Sequence, residues 1–294
     1  MRPFRFLLTI ALASVIIFNT SCEKEGGVLA TINTPASLAA DTMFNVPYGT
    51  DPLQKMDIYL PKGRSVSSTK VMVLIHGGSW SSGDKTDMLP FIDSLKRRMK
   101  DYAFVNVNYR LAGATGSNTF PTQENDIKTA VEYLNSKRTE YNISPKFVMA
   151  GVSAGAHLAL LQAYKYPSPL KIKAVVDFFG PNDMVAMYND PAPLAPAAGI
   201  ALLLNGTPTT NLPLYQYSSP IQFVTTTTPS TIIFHGGADQ MVKPLQATTL
   251  RDKLNLNGVA NSYVFYPTEG HGWFGANLTD SFNKMQNFLN LYVQ

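Results

Sequence analysis

The chain has 294 residues, 45% hydrophobic and only 15% charged, a balance that excludes a disordered polyelectrolyte and suits one large α/β domain as well as two ordinary ones. A single cysteine excludes an intramolecular disulfide, a cysteine-based zinc site and an iron–sulfur cluster, each of which needs several thiolates. The formal charge of +4 invites a nucleic-acid partner only until its sources are located.

Two of those charges, Arg2 and Arg5, stand before an apolar run over residues 6–18, which ends in Asn19-Thr20-Ser21-Cys22. A basic start, a short apolar stretch and small residues after it are the pattern of a secretory signal peptide. The run is well short of the ~20 residues that span a bilayer. With the one cysteine placed just after it, segment 1–21 resembles a bacterial lipoprotein signal, although Asn19 stands where such signals carry Leu. The resemblance implies lipidation of Cys22 and an exported protein anchored in the cell envelope, at the periplasmic or surface side of the outer membrane. The alternative is an ordinary secretory peptide with Cys22 as a free thiol. Residues 22–42 have the composition of a tether, acidic and Gly-containing at first, then rich in Thr, Ala and Ser. Removal of residues 1–21 takes two arginines and no acid, lowering the charge from +4 to +2. The densest basic run left is Lys96-Arg97-Arg98, read as a solvated helix face, so no nucleic-acid partner is expected.

Residues 43–294 form the predicted domain. Short strands are expected at 44–48 and 56–60, followed by a continuous β-prone apolar run at 71–75, the pattern of a strand buried on both faces. A helix near 87–100, a strand at 103–108 and a helix at 123–137 come next. Strand 146–150, helix 154–164 and strand 172–178 continue the alternation. Between 182 and 229 the pattern lapses into a Pro-rich interval with one apolar stretch, 200–204, read as a cap-like insertion over one end of the sheet. Strand and helix resume at 231–234, 245–256, 262–266 and 280–291. The alternation predicts an α/β fold with a mostly parallel sheet covered on both faces.

Gly151-Val152-Ser153-Ala154-Gly155 lies between a predicted strand and a predicted helix. In that setting G-x-S-x-G is a sharp turn that exposes its serine at a helix N-terminus, where developing negative charge is favoured. Ser153 is therefore the expected nucleophile. His271, in the Gly-flanked Glu269-Gly270-His271-Gly272-Trp273, is the expected base, and Asp239, in His235-Gly236-Gly237-Ala238-Asp239, the expected orienting acid. Asp177 and Asp183 compete for that last role. His76, His157 and His235 are read as structural. His76-Gly77-Gly78-Ser79-Trp80 follows the strand at 71–75, so backbone amides of Gly78 and Ser79, with that of Ala154, are expected to form an oxyanion hole. Trp80, Trp273 and Phe274 are expected as substrate-pocket walls. No Gly-rich segment fits a nucleotide-binding pattern, and no cofactor or metal is expected.

Several further motifs fall in order: Gly83-Asp84-Lys85, Asn108-Tyr109-Arg110-Leu111, Phe120-Pro121 with Asp126, Ser219-Pro220, and Val242 after the Asp239 turn. With these the chain from residue 44 onward resembles the α/β-hydrolase superfamily in its carboxylesterase branch. It is similar to the BD-FAE-type feruloyl/acetyl carbohydrate esterases and to hormone-sensitive-lipase-like esterases. One departure is Ser79, where the lipase-like members carry a third glycine. The resemblance implies hydrolysis of a carboxylic ester through an acyl-enzyme, on a small-molecule or polysaccharide substrate such as acetylated or feruloylated carbohydrate. A formamidase or amidase, a short-chain lipid esterase and a non-catalytic binding module on the same fold are the alternatives.

Overall fold

The computed structural model describes residues 37–167 and 170–294; the expected signal segment, Cys22 and most of the expected tether lie outside the described residues. The tether's last two residues do not behave as linker. Strand β1 (Asp41–Pro47) opens at Asp41, which pairs with Leu60, while Thr42 pairs with Tyr59.

Eight strands form one sheet. After β1 come β2 (Lys55–Leu60), β3 (Lys70–Ile75), helix α1 (Leu89–Arg98) and β4 (Tyr102–Val107). Helices α2 (Thr122–Ser136) and α3 (Arg138–Tyr141) lead to β5 (Phe147–Val152), α4 (Ala154–Lys165) and β6 (Ala174–Phe178). The insertion carries α5 (Met184–Asn189), α6 (Ala197–Leu203) and α7 (Pro208–Tyr217); β7 (Ser230–Gly236), α8 (Pro244–Leu256), β8 (Asn261–Tyr266) and α9 (Gly275–Tyr292) complete the chain. The spatial order is β1-β2-β4-β3-β5-β6-β7-β8. Strands β1 and β2 pair antiparallel with their neighbours, and β4, β3, β5, β6, β7 and β8 run parallel.

Alternation along β3 explains the two layers. Val71, Val73 and Ile75 pack into one core with Leu134 of α2, Leu158 of α4 and Leu254 of α8. Met72 and Leu74 pack into the other with Ile92 of α1 and Phe282 and Leu289 of α9. Both faces of the central strands are buried, which is why their sequences are predominantly apolar, with Val71–Ile75 of β3 an unbroken run. The chain steps outward from β3 to β4 and then returns to place β5 on the other side of β3. At such a reversal the loops leaving adjacent strands diverge and open a crevice at the strands' carboxyl ends. The loops after β3 and β5 are the ones that carry H-G-G-S-W and G-x-S-x-G.

The insertion at 182–229 is more ordered than its composition suggests. Its prolines start helices instead of breaking them: Pro196 precedes the first residue of α6, Pro208 is the first residue of α7, and Pro220 opens a short 3₁₀ turn. A proline at a helix start loses nothing, because the amide it lacks has no partner there. Pro213 lies inside α7, where Asn211 departs from helical geometry. Asn182 ties the insertion to α8, donating through Nδ2 to the carbonyl oxygen of Gln246 at 2.7 Å.

Candidate active site

The turn between β5 and α4 places Ser153 at φ 54°, ψ −122°, a conformation that L-residues hold only when their surroundings enforce it. The two flanking glycines show the cause. A Cβ on Gly151 would collide with the backbone of Gly155, and one on Gly155 would collide with the carbonyl oxygens of Ile75 and His76. The amide of Ser153 donates to the carbonyl of Phe178 at 2.9 Å, fastening the turn to β6.

Sequence-distant loops converge on this serine. His271 Nε2 lies 2.8 Å from Ser153 Oγ, and His271 Nδ1 lies 2.8 Å from Asp239 Oδ2. The other oxygen of Asp239 accepts from the amides of Met241 at 2.8 Å and Val242 at 2.9 Å. Burial alone would raise the pKa of this carboxyl. Hydrogen bonds from His271, Val242 and Met241 outweigh that, and the net shift is below the ordinary aspartate range. His235 is fully buried and braces the same turn, its Nε2 donating to the carbonyl of Val242 at 2.9 Å. Burial lowers its pKa, keeping the ring neutral.

The two rival acids are engaged elsewhere. Asp183 caps α5, accepting from the Ala186 amide at 3.0 Å. Asp177 is fully buried at the end of β6; its Oδ1 accepts from the Gly180 amide at 2.8 Å, and its Oδ2 has no partner among the described residues. Burial pushes its pKa up to about 7. The folded protein therefore keeps a proton on Asp177 that the unfolded chain releases near pH 4, so stability falls as pH rises from about 4 to about 7 and levels off above. Asp177→Asn should remove that dependence. Chemical denaturation at pH 5 and pH 8 should show the variant gaining roughly 2–4 kcal/mol on the wild type between the two; parallel pH curves would contradict the assignment.

The H-G-G-S-W loop lies against the serine. A Cβ on Gly77 would stand 3.3 Å from Ser153 Cβ. Gly78, Ser79 and Trp80 all have positive φ, at 106°, 51° and 61°. The amides of Gly78, Ser79 and Ala154 donate to no other described residue. These free donors stand in the two loops that meet at the strained serine. The loop is braced from behind: His76 stacks on Tyr109 with ring centroids 4.3 Å apart, and Tyr109 Oη donates to the carbonyls of His76 and Gly77 at 3.2 Å. A buried Lys85–Asp57 ion pair of 2.8 Å fixes the segment that follows.

A cavity of about 420 Å³ opens beside the loop, lined by Ser79 and Trp80, by Met187, Leu194, Ile200 and Leu203 of the insertion, and by Met241. None of the described residues that line it is charged. Of the three expected pocket walls only Trp80 lines it. Trp273 is a core residue, packed among Phe179 and Tyr266 with its Nε1 donating to Ser281 Oγ at 3.0 Å. Phe274 is 83% exposed and lines none of this cavity. Phe274 sits on extended backbone at φ −131°, ψ −173°, just ahead of α9, and its side chain faces out where that of Trp273 is buried. Neither this cavity nor a larger one of about 730 Å³ at the β2–β4 edge is lined by a triad residue, but the smaller one reaches the H-G-G-S-W loop through Ser79 and Trp80 and the larger one does not.

Sequence reasoning missed Phe179. Its ring lies 4.6 Å from that of His271, and its backbone is held at φ 46°. A bulky residue in that conformation is uncommon. Neither the strain nor the contact has a sequence signal, since both depend on how β6 and the loop after β8 meet.

A parallel sheet wound on both faces, with a strained serine, a histidine and an aspartate meeting at its topological switch point, defines an α/β-hydrolase. Residues 56–254 match the BD-FAE family, and the chain belongs to it. It is 25% identical over 247 residues to the esterase LipC of Mycobacterium tuberculosis, an alignment covering 78% of this chain and 59% of that protein. Among solved structures it resembles a bifunctional GH43-CE protein of Bacteroides eggerthii, with 28% identity and a TM-score of 0.75 over 86% of this chain and 38% of that one. It also resembles a truncated carbohydrate esterase from gut microbiota, with 26% identity and a TM-score of 0.74 over 86% of this chain and 96% of that one.

Proposed function

We propose that the protein is a serine carboxylic-ester hydrolase that removes acyl groups, acetyl or feruloyl, from carbohydrate. The observation that carries this reading is the unbroken hydrogen-bonded line from Ser153 Oγ through His271 to Asp239, at 2.8 Å for each link. His271 takes the proton of Ser153 as Oγ attacks the ester carbonyl, and Asp239 holds the imidazole with its proton on Nδ1. The carbonyl oxygen, now an anion, receives the amides of Gly78, Ser79 and Ala154. The imidazolium protonates the leaving alcohol. Water, activated by the same histidine, then attacks the acyl-enzyme and frees the acid.

The substrate class rests on the carbohydrate-esterase structures the chain resembles and on the uncharged cavity beside Ser79, which has room for an aromatic acyl group. Acetylated xylan, a feruloylated oligosaccharide, a short-chain glyceride and an aryl formamide, offered at equal concentration, test it. Acetate or ferulate release should exceed turnover of the glyceride and the amide by at least about tenfold. Turnover of the formamide with both carbohydrate esters untouched would overturn it. We also propose, from residues 1–22 alone, that the protein is exported and lipid-anchored through Cys22.

A further inference from the structure

Helix α4 is apolar and almost wholly buried, yet His157 sits in its second turn with no exposed surface. A histidine placed there must satisfy two ring nitrogens internally. It does so with one partner from each side. Nε2 lies 2.7 Å from the carbonyl oxygen of Ser218, so Nε2 carries the proton. Nδ1 is left as an acceptor and receives Trp80 Nε1–H at 3.1 Å. The two rings meet edge to face, with centroids 5.1 Å apart. Burial pushes the pKa of His157 down to about 4, so the ring stays neutral and the acceptor is retained at neutral pH.

What this bond holds is a loop that resists its own conformation. Ser79 and Trp80 are consecutive non-glycine residues at φ 51° and 61°, a left-handed pair that L-residues leave unless anchored. Backbone bonds fix the loop on either side: the Ser82 amide donates to the Gly78 carbonyl, and the Ala112 amide donates to the Trp80 carbonyl, both at 2.9 Å. The Trp80 indole is the side-chain tie between this loop and α4. His157 lies one turn from the nucleophile, its amide donating to the Ser153 carbonyl at 3.1 Å. One helix thus sets the position of both the serine and the loop.

We propose that the Trp80–His157 hydrogen bond, pinned by the Ser218 carbonyl, registers the oxyanion loop against the nucleophile helix, which makes His157 a positioning residue for transition-state stabilisation. The proposal rests on reading the Gly78, Ser79 and Ala154 amides as oxyanion donors. Because Ser218 follows α7, the insertion is tied to the same register.

The test uses His157→Phe, which keeps an aromatic ring and loses both nitrogens, and Trp80→Phe, which loses the donor together with part of the indole's volume. His157→Gln can still accept from Trp80 and donate to Ser218. The double variant His157→Phe/Trp80→Phe completes a cycle. The readouts are kcat and KM on an aryl acetate and the affinity for phenylboronic acid, which forms a tetrahedral anion on a reactive serine. Each Phe variant should lose about 10- to 100-fold in kcat and in boronate affinity together, with KM within about threefold. The double variant should be no worse than the singles, and His157→Gln should recover most of the rate. Trp80→Phe alone decides the matter where His157→Phe does not fold. Single variants within about twofold of wild type in both readouts, or losses that multiply in the double variant, would overturn the proposal. A wild-type enzyme that does not bind the boronate would overturn the oxyanion assignment beneath it.

Discussion

Replacing Ser153 by Ala is expected to lower kcat on an aryl acetate by about five to six orders of magnitude, to the level that binding and backbone donors alone sustain. The size of the effect follows from the arrangement. Ser153 Oγ is the atom within hydrogen-bond reach of His271 Nε2, and the backbone at Gly77 passes so close that a Cβ there would stand 3.3 Å from Ser153 Cβ. Alanine keeps the strained backbone and removes one oxygen, so circular dichroism and melting temperature should match the wild type. Retained turnover in a folded Ser153→Ala variant would remove the basis of the mechanism.

The second large effect belongs to Asp239. Asp239→Asn is expected to cost about 10⁴ in kcat. The reason lies in how completely both oxygens are used as acceptors, one by His271 and the other by the amides of Met241 and Val242. An asparagine amide can turn either way, and each way is wrong. With its NH₂ toward His271 it forces the proton onto Nε2, where the base must be free. With its NH₂ toward the two amides it sets donor against donor. Asp177→Asn and Asp183→Asn, by contrast, should leave kcat within about threefold, because Asp177 bonds the Gly180 amide and Asp183 caps α5. Should Asp177→Asn be the damaging change, the orienting acid is misassigned.

Much of this architecture is readable from residue order. The central strands are buried on both faces, so Val71–Ile75 appears as a short uninterrupted apolar run rich in β-branched residues, the mark of a buried strand. Ser153 and Asp239 stand in Gly-flanked turns because those turns pass close to other backbone, whereas Gly272 beside His271 answers to its φ of 110°. A Cβ on Gly236, for example, would collide with the carbonyls of Glu269 and Gly270, which brings the Asp239 and His271 loops together. Steric demand of that kind leaves a mark in sequence.

Other features leave none. The helices of the insertion were hidden behind prolines that occupy helix starts, where the residue type that ends most helices is harmless. Trp273 and Phe274 are adjacent aromatics, and only the packing of α9 against the sheet decides that the first is buried and the second exposed. Helix α9 itself begins at Gly275, ahead of the residue 280 expected, because the weak helix formers Gly275, Asn277 and Thr279 interrupt Ala276 and Leu278 and mask the start. His157 reads as a packed core histidine, which it is. That its two nitrogens join the oxyanion loop to the insertion depends on Trp80 and Ser218, far apart in the chain.

Covalent trapping tests the central claim most directly. The protein is incubated with a 4-nitrophenyl alkylphosphonate, nitrophenol release is counted, and the digested protein is weighed by mass spectrometry. One nitrophenol per chain and one phosphonyl group on the peptide containing Ser153 are expected, with no adduct in Ser153→Ala and slow labelling in Asp239→Asn. An adduct on another residue in an inactivated enzyme, or full hydrolytic activity with Ser153 unmodified, would contradict the central claim.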